Sequence, residues 1–421
     1  MISLAEAQQL VRQWLSPLPP VELPLGELLG RVVAEDLVAR EAVPGFLNSA
    51  MDGYAVRSID TAAGSAHLAV IDSVLAGDGG SRPLGTGEAV RIMTGAPVPD
   101  GADCVVMIEE VTVDPDGQTV HVQRVMEPGE HVRRPGDDVA VGQLLAAKGT
   151  TLGPAHLGVL ASQGIARAWA HPRPRVGVLS TGHELGPASG PLEPGQIRDS
   201  NRPMLLALLR ASGFTPIDLG TAEDQPNAIA DSFRRGLEVC DAVVSTGGVS
   251  VGDADYVKVV VGDLCGERHR SMRVAIRPGK PFAFGVAGER RTPLFGLAGN
   301  PVSTYVGFEM LVRPALRLLA GQAVLERLTV DMVLDTPLRR RPDGRLHMVF
   351  VVARVLEDGR WHAQHSARQG SHLLSAVAGS NAIAMVPDGD GFEVGGIARA
   401  MIIDADPAPP DGARTRPGLG A

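Results

Sequence analysis

Apolar positions along this chain follow two periodicities, and the rhythm changes at a few well-marked points. Near the start Leu4, Ala7, Leu10, Val11 and Trp14 recur at helical spacing behind a Ser3/Glu6 capping-box pattern. Residues 1 to about 40 therefore read as helices, broken at Pro17 to Pro20. From 44 to 134 short apolar runs such as HLAVIDSVLAG and CVVMIEEV alternate with Gly, Pro and Asp, and QTVHVQRV has period two; this is a β-rich unit. TLGPAHLGVLASQGI then returns to helical spacing, with Leu157, Leu160 and Ala161 on one face. The β unit thus looks inserted into a helical, mixed layer formed by 1–43 and 135–171.

Beyond the Pro-rich punctuation at His171 to Arg175, strands and helices alternate over 172–322. Strands are expected at Val176–Leu179, Pro216–Leu219, Ala242–Ser245, Phe282–Val286 and Leu294–Leu297. Helices are expected over Ser200–Gly213, capped by Ser200 or Asn201, and over Asn227–Cys240, Tyr256–Leu264 and Pro301–Leu319, the last with Asn300 at its cap. Short connections between alternating elements predict a doubly wound parallel sheet. From 323 to 405 the helices disappear, and LTVDMVLDTPL places Leu328, Val330, Met332 and Leu334 on one face of an all-β domain. Residues 406–421 cannot bury enough surface to order and read as a disordered tail. The fold class is multi-domain α/β.

Composition narrows the function. A chain of 421 residues accommodates about three domains at ~150 residues each. A net charge of −9 argues against a nucleic-acid protein, because phosphate binding needs a basic face. Cys104, Cys240 and Cys265 are scattered in apolar contexts, without Cys-x-x-Cys spacing, so they read as buried hydrophobes in a reducing, cytoplasmic setting rather than zinc ligands. The N-terminus lacks the apolar run of a signal peptide, and no window of 18 apolar residues predicts a membrane span.

Candidate chemistry sits at strand ends, where open parallel sheets bind ligands. LSTGHEL, VVSTGGVSVGDADYVK and GLAGNPVST each pass from an apolar strand into Gly, Ser, Thr or Asn. Glycine amides and a following helix start suit an anion. In the central loop Gly247 and Gly252 have Walker spacing, but Asp253 stands where the lysine belongs, so this is not a P-loop. Ser245, Thr246 and the glycine amides beside Asp253 and Asp255 suit a phosphate bridged to carboxylates by Mg²⁺; the plain alternative is a strand–helix turn with a solvated Asp. Lys258, Arg273, Arg277 and Lys280 could clamp a phosphate or oxyanion, or form a solvated basic edge. SAMDGYAVR with Asp52 and Tyr54, RIMTGAPVPDGAD with Thr94, and RRPGDDV with Asp137 and Asp138 are surface-turn patterns that could also be functional. His362 and His365 read as exposed strand residues, and His183 lies in the first loop.

In this order, SAMDGYAVR, IRIMTGAPVPDGADCVVM, VRRPGDDV, LSTGHEL, IRDSNRPML, STGGVSVGDADYVK, IRPGKPFAFG, GNPVST and QGSH resemble the molybdopterin molybdenumtransferase family, which includes MoeA and the E domain of gephyrin. The resemblance spans about residues 1 to 405. It implies a helical layer, an inserted β domain, an α/β domain of molybdopterin-binding type, a C-terminal β-barrel domain and a homodimer. It also implies insertion of molybdate into adenylylated molybdopterin with release of AMP, dependent on Mg²⁺. By motif, Asp52, Thr94, Asp138, Glu184, Asp224 and Asp255 fall on catalytic positions, with Glu184 and Asp255 on Mg²⁺. Substrate contacts map to Ser180, Thr181, Gly182, Ser200, Asn201, Ser245, Thr246, Gly247, Gly248, Gly252, Asp253, Lys258, Arg273, Arg277, Lys280, Asn300, Pro301 and Ser371. Molybdopterin adenylyltransferase and molybdoenzyme maturation proteins are the implied partners.

Four positions depart from the family pattern: His183 for Asp, Arg273 and Arg277 for Lys, and Ala298 for Pro. They bear on the choice between molybdate and tungstate and on turnover rather than on the reaction class. Two other readings remain: a non-catalytic module that stores or hands over the cofactor, and a hydrolase like the nicotinamide-nucleotide deamidases that uses the α/β domain alone.

Overall fold

The computed structural model describes residues 1–249, 256–366 and 369–404, so the predicted tail lies outside the described residues. The first helix, Leu4–Arg12, starts where the capping box predicts. The Ser3 hydroxyl accepts the Glu6 N–H at 3.2 Å, and the Glu6 carboxylate accepts the Ser3 N–H at 2.7 Å. Ala7 and Val11 are buried in the core of the α/β unit, and Trp14 stacks on Phe284 with ring centroids 5.7 Å apart.

Beyond that helix the sequence expectation fails. Val21–Pro24 is a strand, antiparallel to Arg167–Ala170, and Leu25–Glu27 is a single 3-10 turn. Prolines at 19, 20 and 24 deny the backbone donors that a continuing helix would use. The two flanks of the inserted unit do pack together: Leu28, Val33 and Leu37 share a core with Ala146, Leu152, Leu160, Ala168 and Ala170. The predicted helix in the second flank forms over Pro154–Ser162, with Leu160 buried but Ala161 exposed.

Between the flanks lies a six-stranded sheet, in spatial order Cys104–Met107, Gly53–Val56, Glu88–Ile92, Ala66–Val74, Thr119–Val122 and Val111–Val113. Both faces are covered. Tyr54 and Val56 enter one core with Leu68, Val106 and Val120, while Ala55 enters the other with Val74, Val90 and Ile92.

A second six-stranded sheet forms the α/β unit. Its order is Thr215–Ala222, Arg175–Thr181, Ala242–Thr246, Thr292–Leu297, Pro281–Ala287 and His269–Arg273. The first four strands are parallel. Pro281–Ala287 is antiparallel to its neighbours, which corrects the all-parallel expectation. The short connection from Ala287 to Thr292 can close a hairpin but cannot carry a crossover. The edge strand His269–Arg273 is too polar to show in the pattern. The helices Asn201–Ala211, Pro226–Val239 and Tyr256–Cys265 match their predicted places.

The last helix of this unit runs as α-helix over Pro301–Gly307, widens to a π segment at Phe308–Val312 and resumes over Arg313–Leu319. Pro314 has no N–H to offer the Met310 carbonyl, which accepts instead from Gln8 Nε2 of the first helix at 2.8 Å. Buried Glu309 in the π segment takes a two-pronged bond from Arg327, at 2.7 and 2.9 Å. Burial lowers the Arg313 guanidinium to about 10, and neighbouring Arg327 adds to the effect.

The C-terminal strands close on themselves. Thr329–Leu334, Trp361–His365, Leu346–Val355, Ala382–Val386 and Ile397–Ile402 pair in a ring of five around Met332, Leu334, Val351, Ala382 and Ala400. Leu328 points to solvent, outside the predicted face, and a short helix at Leu374–Ala378 interrupts the β pattern. His362 is half-buried rather than exposed, its Nδ1 within 2.7 Å of Asp335 and its Nε2 within 3.1 Å of Asp358.

Candidate active site at the carboxyl edge of the central sheet

Four parallel strands of the α/β unit finish on one edge, at Ala222, Thr181, Thr246 and Leu297. Register places Thr181 beside Ala222, and Thr246 between Ser180 and Leu297. The edge strand ends on the same side. Arg273 pairs with Pro281, the residue after Lys280, so both cations stand at this edge.

Buried hydroxyls organise the floor. Asn201 Nδ2 donates to Thr246 Oγ1 at 2.9 Å and to the Gly299 carbonyl at 2.6 Å. Thr246 Oγ1 lies 3.2 Å from Thr304 Oγ1, and both threonines donate to the Ala298 carbonyl. The Ser245 hydroxyl is spent on the Phe295 carbonyl at 3.3 Å, so it braces the sheet rather than facing the edge. Two acceptor-capable atoms, Ser180 Oγ and Asn201 Oδ1, are buried without a partner among the described residues. Thr304 carries no assignment in the sequence reading; its signal is the position four residues after Asn300, at which its hydroxyl can reach back to the Asn300 carbonyl at 3.1 Å.

Glycine is required at the turn. Gly247 has φ +97°, and a Cβ there would lie 2.1 Å from the Thr181 carbonyl oxygen; a Cβ on Gly248, at φ +60°, would meet Val257. Gly182 makes room of a different kind. A Cβ on it would fall 2.6 Å from Glu184 Oε2, so the carboxylate folds over the glycine at the lip of the edge. His183 beside it is exposed, with Nδ1 3.9 Å from Glu184. Asp224 is half-buried, two residues beyond the neighbouring strand end. Gly252, Asp253 and Asp255 lie outside the described residues, and half-buried Lys258 sits in the first turn of the helix that follows them.

The barrel reaches the same edge. Asn300 holds the N-cap position of the last helix, with Pro301 at its first residue, but the Asn300 side chain does not cap. Its Nδ2 donates to Ser371 Oγ at 3.3 Å, while the Ser371 carbonyl accepts the Val302 N–H at 3.1 Å. Ser200 likewise makes no side-chain cap; Asp199 accepts the Arg202 N–H at 3.0 Å instead. Arg277 is turned towards the barrel, its Nη1 3.3 Å from Asp343 Oδ2.

Asp52, Thr94 and Asp138 belong elsewhere in the chain. The Thr94 N–H and hydroxyl both donate to Asp52 Oδ1 at 2.7 Å, so these two predicted residues do meet. Those two bonds, first the backbone one, hold the Asp52 carboxyl below its usual range. Asp138 is exposed, its N–H donating to the Val43 carbonyl where the inserted unit begins. The bonds of all three run within the first 140 residues rather than to the sheet edge.

Among the described residues no three His, Cys, Asp or Glu side chains are arranged so as to hold a metal ion by themselves. The donor chemistry nevertheless suits Mg²⁺. That ion keeps several waters and takes one or two carboxylates plus substrate phosphate oxygens, a mode that needs little more than the Glu184 carboxylate at an open lip.

The chain matches three family models end to end: the MoeA N-terminal region (domain I and II) at residues 2–164, the probable molybdopterin binding domain at 177–318, and the MoeA C-terminal region (domain IV) at 333–400. It is 38% identical to molybdopterin molybdenumtransferase of Haemophilus influenzae, over 90% of this chain and 93% of that one. With the enzyme of the same name from Bacillus subtilis it shares 35% identity, over 90% and 89%. The crystal structure of the molybdopterin biosynthesis MoeA protein from Pyrococcus horikoshii superposes with a TM-score of 0.80 at 28% identity, covering 96% of this chain and all of that one. Three domain models in order, relatives matched over nine-tenths of the chain and one shared architecture agree: this chain belongs to the molybdopterin molybdenumtransferase family.

Proposed function

We propose that this chain, a transferase of molybdenum cofactor biosynthesis as its family is, inserts molybdate into adenylylated molybdopterin and releases AMP in a Mg²⁺-dependent step. The observation that carries this reading is the hydroxyl-and-glycine edge around Thr246 and Gly247. A backbone that excludes any Cβ, set at the end of four parallel strands, is suited to a phosphate-bearing ligand.

On this reading the edge binds the phosphoanhydride through glycine amides other than that of Gly247, whose N–H donates to the Leu297 carbonyl at 3.2 Å, and Asn201 keeps Thr246 and the Gly299 turn in place. Arg273, Arg277 and Lys280 receive the incoming tetrahedral oxyanion. Glu184 and Asp255 would hold Mg²⁺, which when bound would supply positive charge to the phosphate oxygens; the anhydride is hydrolysed, water forming the new P–O bond and giving its proton to solvent as AMP departs. Ser371 orients Asn300 from the barrel side. No strong protein nucleophile is needed, because charge stabilisation dominates such cleavage.

Asp52, Thr94 and Asp138 complete a site on this reading only across a homodimer, where the inserted unit of one protomer faces the cleft of the other. Exposed Phe46, Leu47 and Met51 beside Asp52 supply an apolar rim for that contact. The protein would act in the cytoplasm, taking substrate from a molybdopterin adenylyltransferase and passing product to molybdoenzyme maturation proteins. None of the helices is long and apolar enough to cross a membrane among the described residues.

The test is AMP release by the full chain given adenylylated molybdopterin and Mg²⁺, with molybdate and tungstate in parallel. Release that depends on the oxyanion and drops about a hundredfold in Glu184→Gln supports the reading. Ligand binding without AMP would favour the storage module instead.

A further inference from the structure

We infer that Asp343, in the barrel, is a positioning residue that aims the Arg277 guanidinium at the oxyanion across the seam between barrel and α/β unit. The inference rests on the reading of Arg277 as an oxyanion contact. The seam is built by backbone pairing: Ile276–Arg277 runs parallel to Leu346–His347, and the Leu346 N–H donates to the Ala275 carbonyl at 2.8 Å. This fixes where the Arg277 backbone sits but leaves a long side chain with many rotamers.

Asp343 removes that freedom. Its carboxylate takes Arg340 Nη2 at 2.8 Å, Arg345 Nε at 3.0 Å and His347 Nε2 at 3.1 Å, with Arg277 Nη1 at 3.3 Å as its outermost partner. The anchor is firm because Arg340 is itself buried, 4% exposed at the side chain, and is tied also to Asp388 at 2.7 Å and to the Arg345 carbonyl at 2.6 Å. The Asp343 N–H donates to Asp388 as well. The carboxylate therefore cannot follow Arg277; Arg277 must come to it.

Charge decides what Arg277 does next. Around the seam, Arg277, Arg340 and Arg345 face the two carboxylates Asp343 and Asp388, so one positive charge is left over. The excess falls on Arg277, the member most open to solvent at 59%. Only one edge of its planar fork is used by Asp343, which leaves further N–H donors for an anion. A lysine at 277 would have a single ammonium to divide between carboxylate and oxyanion. The fork lets arginine serve both, which gives the Arg277 departure from the usual lysine a structural use.

A double-mutant cycle tests this on the full chain, read by molybdate binding in calorimetry and by KM for molybdate in AMP release. Arg277→Gln is expected to weaken molybdate about tenfold, the loss of one charge-assisted contact. Asp343→Asn should weaken it about threefold, with kcat held within about twofold. Combined, the two should be no worse than Arg277→Gln alone. Multiplying effects would overturn the inference, as would an unchanged molybdate affinity in Asp343→Asn while Arg277→Gln is impaired. An unimpaired Arg277→Gln would instead overturn the oxyanion reading of Arg277, and the inference with it. Asp335→Asn breaks a different barrel contact, to His362 Nδ1 at 2.7 Å, without touching Asp343 or Arg277, so its molybdate affinity should stay at wild type. If it weakens as Asp343→Asn does, loosening of the barrel is the cause and the inference falls. Should Asp343→Asn not fold, Asp343→Glu and Arg277→Lys run the same cycle.

Discussion

At the scale of single residues the site is held by atoms that have no alternative. Gly247 combines a left-handed φ with a carbonyl 2.1 Å from where a Cβ would stand, so Gly247→Ala must move the strand end or the turn. We expect it to cost roughly 1–3 kcal/mol of stability in urea unfolding, with phosphate-ligand affinity lost before the fold is. Thr94 acts through electrostatics instead. A carboxyl depressed in the folded state contributes stability above its unfolded pKa and loses it as pH falls through the folded value. Asp52 therefore stays charged further into acid than an isolated Asp would. Thr94→Val removes the hydroxyl and keeps the stronger backbone bond, so the Asp52 titration should move up only part of the way to normal. NMR titration of Asp52, or the acid limb of kcat/KM, reports that shift. These residues were legible in sequence because glycine, threonine and aspartate concentrate where a strand stops. Asp343 was not, because Arg340 and Arg345 flank it in sequence but Arg277 meets it only across the seam.

At the scale of elements, packing overrules local pattern where a backbone group must find a partner. The last helix reads from sequence as one run from Pro301 to Leu319, and its apolar spacing gives no sign of the π segment. Pro314 is the visible cause, and the remedy lies some three hundred residues away, in Gln8. Gln8→Ala strands a carbonyl among apolar neighbours and should cost about 1–3 kcal/mol, with the first helix exchanging its amides faster. Glu309 is the harsher case. Replacing it with Leu leaves Arg327 charged and part-buried with its two-pronged partner gone, a loss of about 3–5 kcal/mol. The pair Glu309→Leu with Arg327→Met should recover most of it in the same denaturation assay. The strand pattern was legible for similar reasons of packing, but strand direction was not. Pro281–Ala287 has the apolar composition of the parallel strands, and only the short return to Thr292 shows that it must run the other way.

At the scale of the whole molecule, the chemistry is divided on the proposed reading. One group of residues stands at the carboxyl edge of the central sheet, and a second, Asp52 with Thr94, makes its bonds inside the inserted unit. The change of rhythm pointed to one layer formed by the two flanks around that insertion, but not to its contacts, since Leu28 and Leu160 carry no mark of their shared core. If a working site draws its second group from a partner protomer, the two groups can be inactivated separately and recombined. Asp52→Asn and Glu184→Gln should each be inactive as homodimers. Mixed and allowed to exchange, half of the dimers become hybrids, each with one site that carries both lesions and one that carries neither. AMP release should then return to about a quarter of the wild-type rate. A chain that completed its own site would stay inactive in every mixture, because no single protomer carries both intact groups. The size of the recovered activity, read against the ratio of the two variants, therefore separates a shared site from a self-contained one.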